Sequence, residues 1–107
     1  MKLTCVYTCR DEFMATGDID FVCINGRESI VTGGFEVDKV IEGNEVYYVI
    51  SGVATTSLAS TTGYGYQRKV HESKWMNCRG WVIEDCIREF VYNNIDEDLI
   101  IEEMIRL

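Results

Sequence analysis

The hydrophobic residues of this chain repeat with two different periods, and the change between them limits the folds available to it. Residues 2–9, KLTCVYTC, place an apolar, tyrosine or cysteine side chain at every second position. After Trp81 the apolar residues instead follow helical spacing, at Val82, Ile83, Cys86, Ile87, Phe90 and Val91. Strict alternation is typical of half-buried strands, whereas helical spacing indicates a helix with one apolar face. The sequence therefore predicts a β-rich first half and a helical C-terminal part.

Turn signals divide the first half into strands. Asn25-Gly26 predicts a tight turn between IDFVCI and ESIV. Gly33-Gly34 is expected to break the next run before FEVDKVI, and EGNE predicts another turn. VYYVIS is dense in β-branched and aromatic residues, and VATTSLAS after Gly52 is a further strand candidate. We expect these segments to form an antiparallel sheet within residues 1–60.

Two helices are predicted after this sheet. The first begins near Trp81, carries charged residues opposite its apolar face, and stops at Asn93-Asn94. The second is IDEDLIIEEMIRL, residues 95–107, with acids in its first turn, where the helix dipole favours them. Its apolar stripe would consist of Ile100, Ile101, Met104 and Ile105. The expected fold class is α+β, with an antiparallel sheet followed by two C-terminal helices in one domain, residues 1–107.

One segment resembles a known class of small domains. The run SIVTGGFEVDKVIEGNEVYYVI, followed by VHESKWM, is similar to small phage and bacterial SH3-like β-barrel domains. The matching residues are Thr32, Gly33, Phe35, Val37, Tyr47, Tyr48 and Ile50. The resemblance implies a barrel in the first half, and interaction more than catalysis. In general character the short acidic chain is also similar to phage-encoded host-takeover and anti-defence proteins, which implies an inhibitor.

Charge is distributed unevenly along the chain. The formal net charge of −8 divides into −5 for residues 1–45, +3 for residues 46–83 and −6 for residues 84–107. No charged side chain lies between Glu45 and Arg68, so the basic segment follows an uncharged stretch. Duplex nucleic acid is not an expected partner, because its binding depends on many phosphate-neutralising cations. Attraction to a basic protein surface is favoured instead.

Hydropathy and cysteine spacing argue against membrane, secreted and metal-binding proteins. No apolar run approaches the roughly 18 to 20 residues of a membrane helix, and the N-terminal apolar run ends at Arg10, Asp11 and Glu12. That run is a poor secretory signal, so we expect a cytoplasmic protein without a membrane partner. The five cysteines are an odd number and form no pair of C-x-x-C motifs. They are predicted to be reduced and to bind no metal, and no cofactor is expected.

Aromatic and basic residues alternate in residues 64–81, which makes this segment the candidate site. Aromatic rings can stack on a ligand, and neighbouring cations can neutralise its negative charge. Such a segment suits a nucleotide, a single-stranded nucleic acid or an acidic peptide. The predicted binding residues are Tyr64, Tyr66, Arg68, Lys69, His71, Lys74 and Trp75. Trp75 and Trp81 could instead be core residues that cover the sheet.

Catalytic patterns are sparse. TTGYGYQRK lacks the glycine and lysine spacing of a phosphate loop. His71 is the single histidine, so a thiol enzyme would have to pair it with Cys78, which has Lys74 and Arg79 nearby. The carboxylates of IEDC and IDEDLIIEE are expected on solvated helix faces.

These observations predict a non-enzymatic interaction protein that binds and inhibits a host or cellular protein. Its acidic surface and its aromatic-basic segment would make the contact. Two alternatives stay open: a module that sequesters a nucleotide-like anion at residues 64–81, and an enzyme based on Cys78 and His71. A homodimer is also suggested by Leu99, Ile101 and Leu107, which are apolar positions of the predicted last helix.

Overall fold

One six-stranded sheet and one helix make up the structure, a computed structural model that describes residues 2–10, 17–56, 64–95 and 97–107. The strands are β1 (Lys2–Cys9), β2 (Asp18–Asn25), β3 (Glu28–Glu42), β4 (Glu45–Thr56), β5 (Tyr64–His71) and β6 (Ile100–Arg106). The helix α1 (Glu72–Asn94) lies between β5 and β6 in the chain.

The order of strands across the sheet is β5-β4-β3-β2-β1-β6. Neighbours among the first five strands are antiparallel, and β6 is added to the far edge parallel to β1. A parallel connection requires a crossover, and α1 supplies it by crossing one face of the sheet. The helix contacts β5 and β4 near one edge and β6 at the other, so the sheet curls around it.

The core lies between α1 and the face of the sheet that the helix covers, called here the inner face. Phe21 and Phe35 from the sheet meet Phe90 from the helix, with ring centroids 4.9 to 6.5 Å apart. The alternation of β1 has the predicted effect, because Leu3, Cys5 and Tyr7 are buried. The helix buries the predicted set as well, at Val82, Ile83, Cys86, Ile87, Phe90 and Val91.

Two glycines allow the sheet to bend over the helix. A Cβ atom on Gly52 would lie 2.3 Å from the Phe35 ring, and one on Gly33 would lie 2.5 Å from the Val53 carbonyl oxygen. Such close approaches are possible only without a side chain. Gly33-Gly34 therefore does not break the strand as expected, and β3 runs through both glycines from Glu28 to Glu42.

The tight turns were predicted correctly. Gly26 and Gly43 have φ of 68° and 60°, the left-handed region that glycine adopts without strain. Asn25 pairs with Glu28, and Glu42 pairs with Glu45, so each turn closes a hairpin.

The prediction of two C-terminal helices is wrong. Residues 100–106 form β6, while α1 begins at Glu72, nine residues before the predicted start. A β-bulge explains the misleading pattern, because Ile101 pairs with Leu3 while Glu103 pairs with Thr4, which leaves Glu102 as an extra residue. Ile101 and Met104 consequently share the inner face at a spacing of three, which is a helical spacing produced by a strand.

The expected boundaries of the sheet are also corrected. The sheet is not confined to residues 1–60, since β5 and β6 lie beyond them, and the β1–β6 pair is parallel. The sheet curls but stays open, with β5 and β6 as its two edges, so the described residues form no closed barrel. Among the described residues, no helix combines the length and hydropathy needed to cross a bilayer.

Two of the three apolar residues that suggested a homodimer are not available for an interface. Leu99 and Ile101 are buried within the protomer, whereas Leu107 is exposed. Cys5, Cys23 and Cys86 are buried as small apolar side chains, and Cys78 is exposed.

We predict that Gly52→Ala destabilises the protein by about 1–3 kcal/mol, because the new methyl group would displace the Phe35 ring from the core. Urea denaturation measures the effect. The matched control is Gly65→Ala on β5, where a Cβ atom meets nothing within 4 Å. Equal effects of the two substitutions would contradict this role of Gly52.

Candidate functional site

The predicted aromatic-basic segment, residues 64–81, does not form one surface, because it is divided between strand β5 and helix α1. Side chains of β5 alternate between faces, so Tyr66 and Arg68 lie on the inner face while Lys69 and His71 lie on the opposite, outer face. Tyr64 pairs with Ala54 through its backbone, and its side chain lies outside the described residues.

The inner-face residues are held by the helix. The Tyr66 hydroxyl donates to a Glu89 carboxylate oxygen at 2.9 Å, and an Arg68 guanidinium nitrogen lies 3.5 Å from the same carboxylate. The Tyr66 ring packs edge-on against Phe35 at 5.9 Å. Burial, followed by the neighbouring Cys86 and Glu89, raises the pKa of Tyr66 well above its usual value. These contacts fasten β5 to α1.

The outer-face residues are engaged as well. The Lys69 ammonium pairs with Glu42 and lies 4.3 Å above the centre of the Tyr47 ring. His71 is the N-cap of α1, where its Nδ1 accepts from the Ser73 backbone N–H at 3.1 Å. Its Nε2 bonds to Glu45. Arg68 and Lys69 of β5 thus each have a carboxylate partner within the chain, which leaves the anion-binding alternative with little unpaired positive charge on this strand.

The remaining predicted residues lie on the helix. Lys74 is exposed, and Trp75 is buried against Tyr48 with the two rings stacked at 5.4 Å. Trp75 is therefore a core residue, which was the open alternative for it, whereas Trp81 is 77% exposed. The structure does not bring the seven predicted residues together.

The Cys78–His71 pair is not assembled either. Both ring nitrogens of His71 are occupied, one by Ser73 and the other by Glu45. Cys78 is exposed two turns further along α1, where the backbone departs from helical geometry, with φ −131° and ψ 26°. In this arrangement the histidine is not directed at the thiol.

A depression lies elsewhere, on the outer face of the sheet. Its volume is about 510 Å³, which is within the range of ligand and side-chain pockets. It is lined by Arg10, Asp18, Asp20, Gly34, Phe35, Glu36, Ser51, Gly52 and Val53. Gly52, one of the two glycines that allow the sheet to bend, thus also forms part of this depression.

Carboxylates dominate the depression. Arg10 bridges Asp18 and Asp20 at 2.9 and 2.5 Å, and the Asp20 hydrogen bond is the main cause that raises the pKa of the Arg10 guanidinium. Glu36 lies directly opposite Asp18 in the β2–β3 register, and Asp38 lies on the same face of β3. Glu36 and Asp38 make no ion pair within the described part of the chain. We call the set Asp18, Asp20, Glu36 and Asp38 the acidic patch.

Sequence reasoning missed the acidic patch, although the sequence contained a signal for it. Asp18 and Asp20 in DIDF and Glu36 and Asp38 in FEVDK are two residues apart on predicted strands. Acids at that spacing share one face of a strand. Their meeting across strands, however, depends on the hairpin register, which a shift of one residue would reverse.

Comparison with known proteins assigns no relative to this chain. No family model, curated protein or solved structure matches it.

We predict that the protein loses stability between about pH 10 and pH 12. Burial and the hydrogen bond to Glu84 raise the pKa of Tyr7 to about 12, from about 10 in the unfolded chain, and the pKa of Tyr66 is raised in the same direction. The stabilisation is complete below pH 10 and is lost as pH rises through the folded pKa.

Urea denaturation across this range measures the loss. The double variant Tyr7→Phe with Tyr66→Phe should be less stable at neutral pH, because two hydrogen bonds are removed, and its stability should decline less between pH 10 and 12. Parallel curves for the variant and the native protein would show that these hydroxyls are not responsible.

Proposed function

We propose that this protein is a non-enzymatic binding protein whose outer sheet face docks on a basic surface of a host or cellular protein and inhibits that protein by covering it. The observation that carries the proposal is the acidic patch, and above all Glu36 placed directly opposite Asp18. Like charges opposite each other across strands destabilise a sheet. The carboxylates of the acidic patch lie on the outer face and contribute nothing to the core. We therefore infer that their charge serves binding.

The surface beside the acidic patch suits a protein partner. An uncharged row crosses five strands next to the acids, formed by Ile105, Val6, Val22, Thr32 and Thr55 in register. The valines are half-buried, and the two threonine hydroxyls lie 3.3 Å apart. Protein interfaces commonly combine a less charged centre with a polar rim. The uncharged row would be the centre and the acidic patch one side of the rim.

Electrostatics would determine which proteins are bound. A net charge of −8 attracts basic surfaces from a distance, and the patch would orient the encounter. The depression provides room for a lysine or arginine side chain of the partner beside Glu36. A basic surface that normally binds nucleic acid would be blocked in such a complex.

We predict that Glu36→Gln with Asp38→Asn weakens partner binding about tenfold, because two exposed carboxylates leave the interface. A lysate pull-down with the native protein identifies the partner, and calorimetry with the purified pair then measures the dissociation constant at several salt concentrations. Binding should weaken as salt rises, and less steeply for the double variant.

The control is Glu97→Gln with Glu102→Gln, which removes the same charge from exposed positions away from the patch. It should lower the affinity much less than the patch variant. Equal losses would mean that net charge alone matters, and salt-independent binding would reject the electrostatic basis of the proposal.

A further inference from the structure

Cys5 and Cys23 face each other across two neighbouring strands. They are direct partners in the antiparallel register of β1 and β2. The Cys23 thiol donates a weak hydrogen bond to Cys5, with 3.4 Å between the two Sγ atoms. Both side chains lie on the inner face and have no exposed surface. Any two small apolar residues would fill this space, so the contact between two thiols is a property that burial alone does not explain.

The backbone around this pair is compatible with a disulfide bond. Residues directly opposite each other in an antiparallel sheet have Cα atoms about 4.5 Å or about 5.5 Å apart, depending on whether they share backbone hydrogen bonds. Both distances lie within the range of about 4.4–6.8 Å that disulfide-bonded cysteines adopt. Rotation of the two side chains can therefore bring the sulfur atoms to bonding distance without a change of strand register.

The other cysteines are placed differently. Cys9 lies opposite Ile19 in the same register, Cys86 lies beside Tyr66, and Cys78 is exposed on the helix. The two thiols that meet are thus the pair in register across β1 and β2.

A bond between these strands would add to a long covalent connection. Residues 10–17 connect β1 to β2, whereas only residues 26–27 and 43–44 connect the next two pairs of strands. Closing a longer connection costs more conformational entropy. A disulfide constrains the unfolded chain and so reduces this cost. A link between Cys5 and Cys23 should therefore have a measurable effect on stability.

We propose that Cys5 and Cys23 are a redox-sensitive pair, which a small-molecule disulfide such as glutathione disulfide converts to an intramolecular disulfide. The thiolate of one cysteine attacks the glutathione disulfide, which forms a mixed disulfide and releases one glutathione. The thiolate of the other cysteine then attacks the mixed disulfide and releases the second glutathione. The protein loses two electrons and two protons, and the oxidant is reduced to two thiols.

Burial determines when this exchange can take place. The pair lies in the core between the sheet and α1, so an oxidant reaches it only while the helix is not packed on the sheet. Exchange therefore occurs during folding or in a transiently opened state. Once the helix has packed, the same burial protects the disulfide from reductants. The outer sheet face takes no part in this exchange, so the inference does not depend on the proposed function.

Refolding from urea in a glutathione redox buffer tests the pair. The variant Cys9→Ser with Cys78→Ser is used, because Cys5 and Cys9 lie on one tryptic peptide and Cys78 is exposed. Its mass should fall by about 2 Da, since a disulfide forms with loss of two hydrogen atoms. Peptide mapping should join residues 3–10 to residues 11–27. The folded, reduced protein should react roughly tenfold or more slowly in the same buffer, because burial excludes the oxidant.

The effect on stability is a second measurement. The urea midpoint of the oxidised form should exceed that of the reduced form by about 1 M, because the bond joins positions 18 residues apart. Cys5→Ala and Cys23→Ala, each made in the same variant, are the controls and should show neither the loss of mass nor the rise in midpoint. Each protein is compared with itself under reducing conditions, so altered core packing does not enter the comparison.

Three results would overturn the proposal. The first is a refolded protein whose mass does not fall, and the second is a disulfide that includes Cys86. The third is a urea midpoint that oxidation leaves unchanged or lowers.

Discussion

The Phe35 ring lies across Gly52, and the geometry of the rest of the molecule depends on this contact. Because residue 52 has no side chain, the ring can turn toward the helix and meet Phe21 and Phe90, while Tyr66 packs against its edge. The sheet can then curl around α1 instead of lying flat against it. The same curl lets one helix contact both edges of a six-stranded sheet, and it positions Gly34 and Gly52 in the depression on the outer face.

Both open edges of the sheet carry features that limit pairing with other chains. On β5, Arg68 points toward the helix and is held by Glu89, and Lys69 projects to the other side. On β6, the bulge at Glu102 interrupts the regular edge. Inward-pointing charges and bulges are common means of preventing edge-to-edge aggregation. The basic segment therefore has a structural explanation, and the surfaces left for binding are the outer sheet face and the helix.

These two surfaces differ in character and lie on opposite sides of the molecule. The outer sheet face carries the acidic patch and the depression, which suit a basic partner. The solvent side of α1 is close to neutral and carries one dominant aromatic residue, Trp81, between charges of both signs.

Local sequence determined the elements whose signals are local. The alternation in residues 2–9, the turns at Gly26 and Gly43 and the apolar face of residues 82–91 need only backbone geometry and burial, and all were predicted. The sequence could not determine which strands pair, and three results followed from pairing alone. Residues 100–106 became a strand because β1 offered a free edge, and the bulge gave that strand a helical spacing. Gly33-Gly34 continued a strand because Val53 and Ala54 approach it closely. The acidic patch formed because the β2–β3 register placed Asp18 opposite Glu36, whereas the alternation of β5 separated the predicted aromatic-basic site onto two faces.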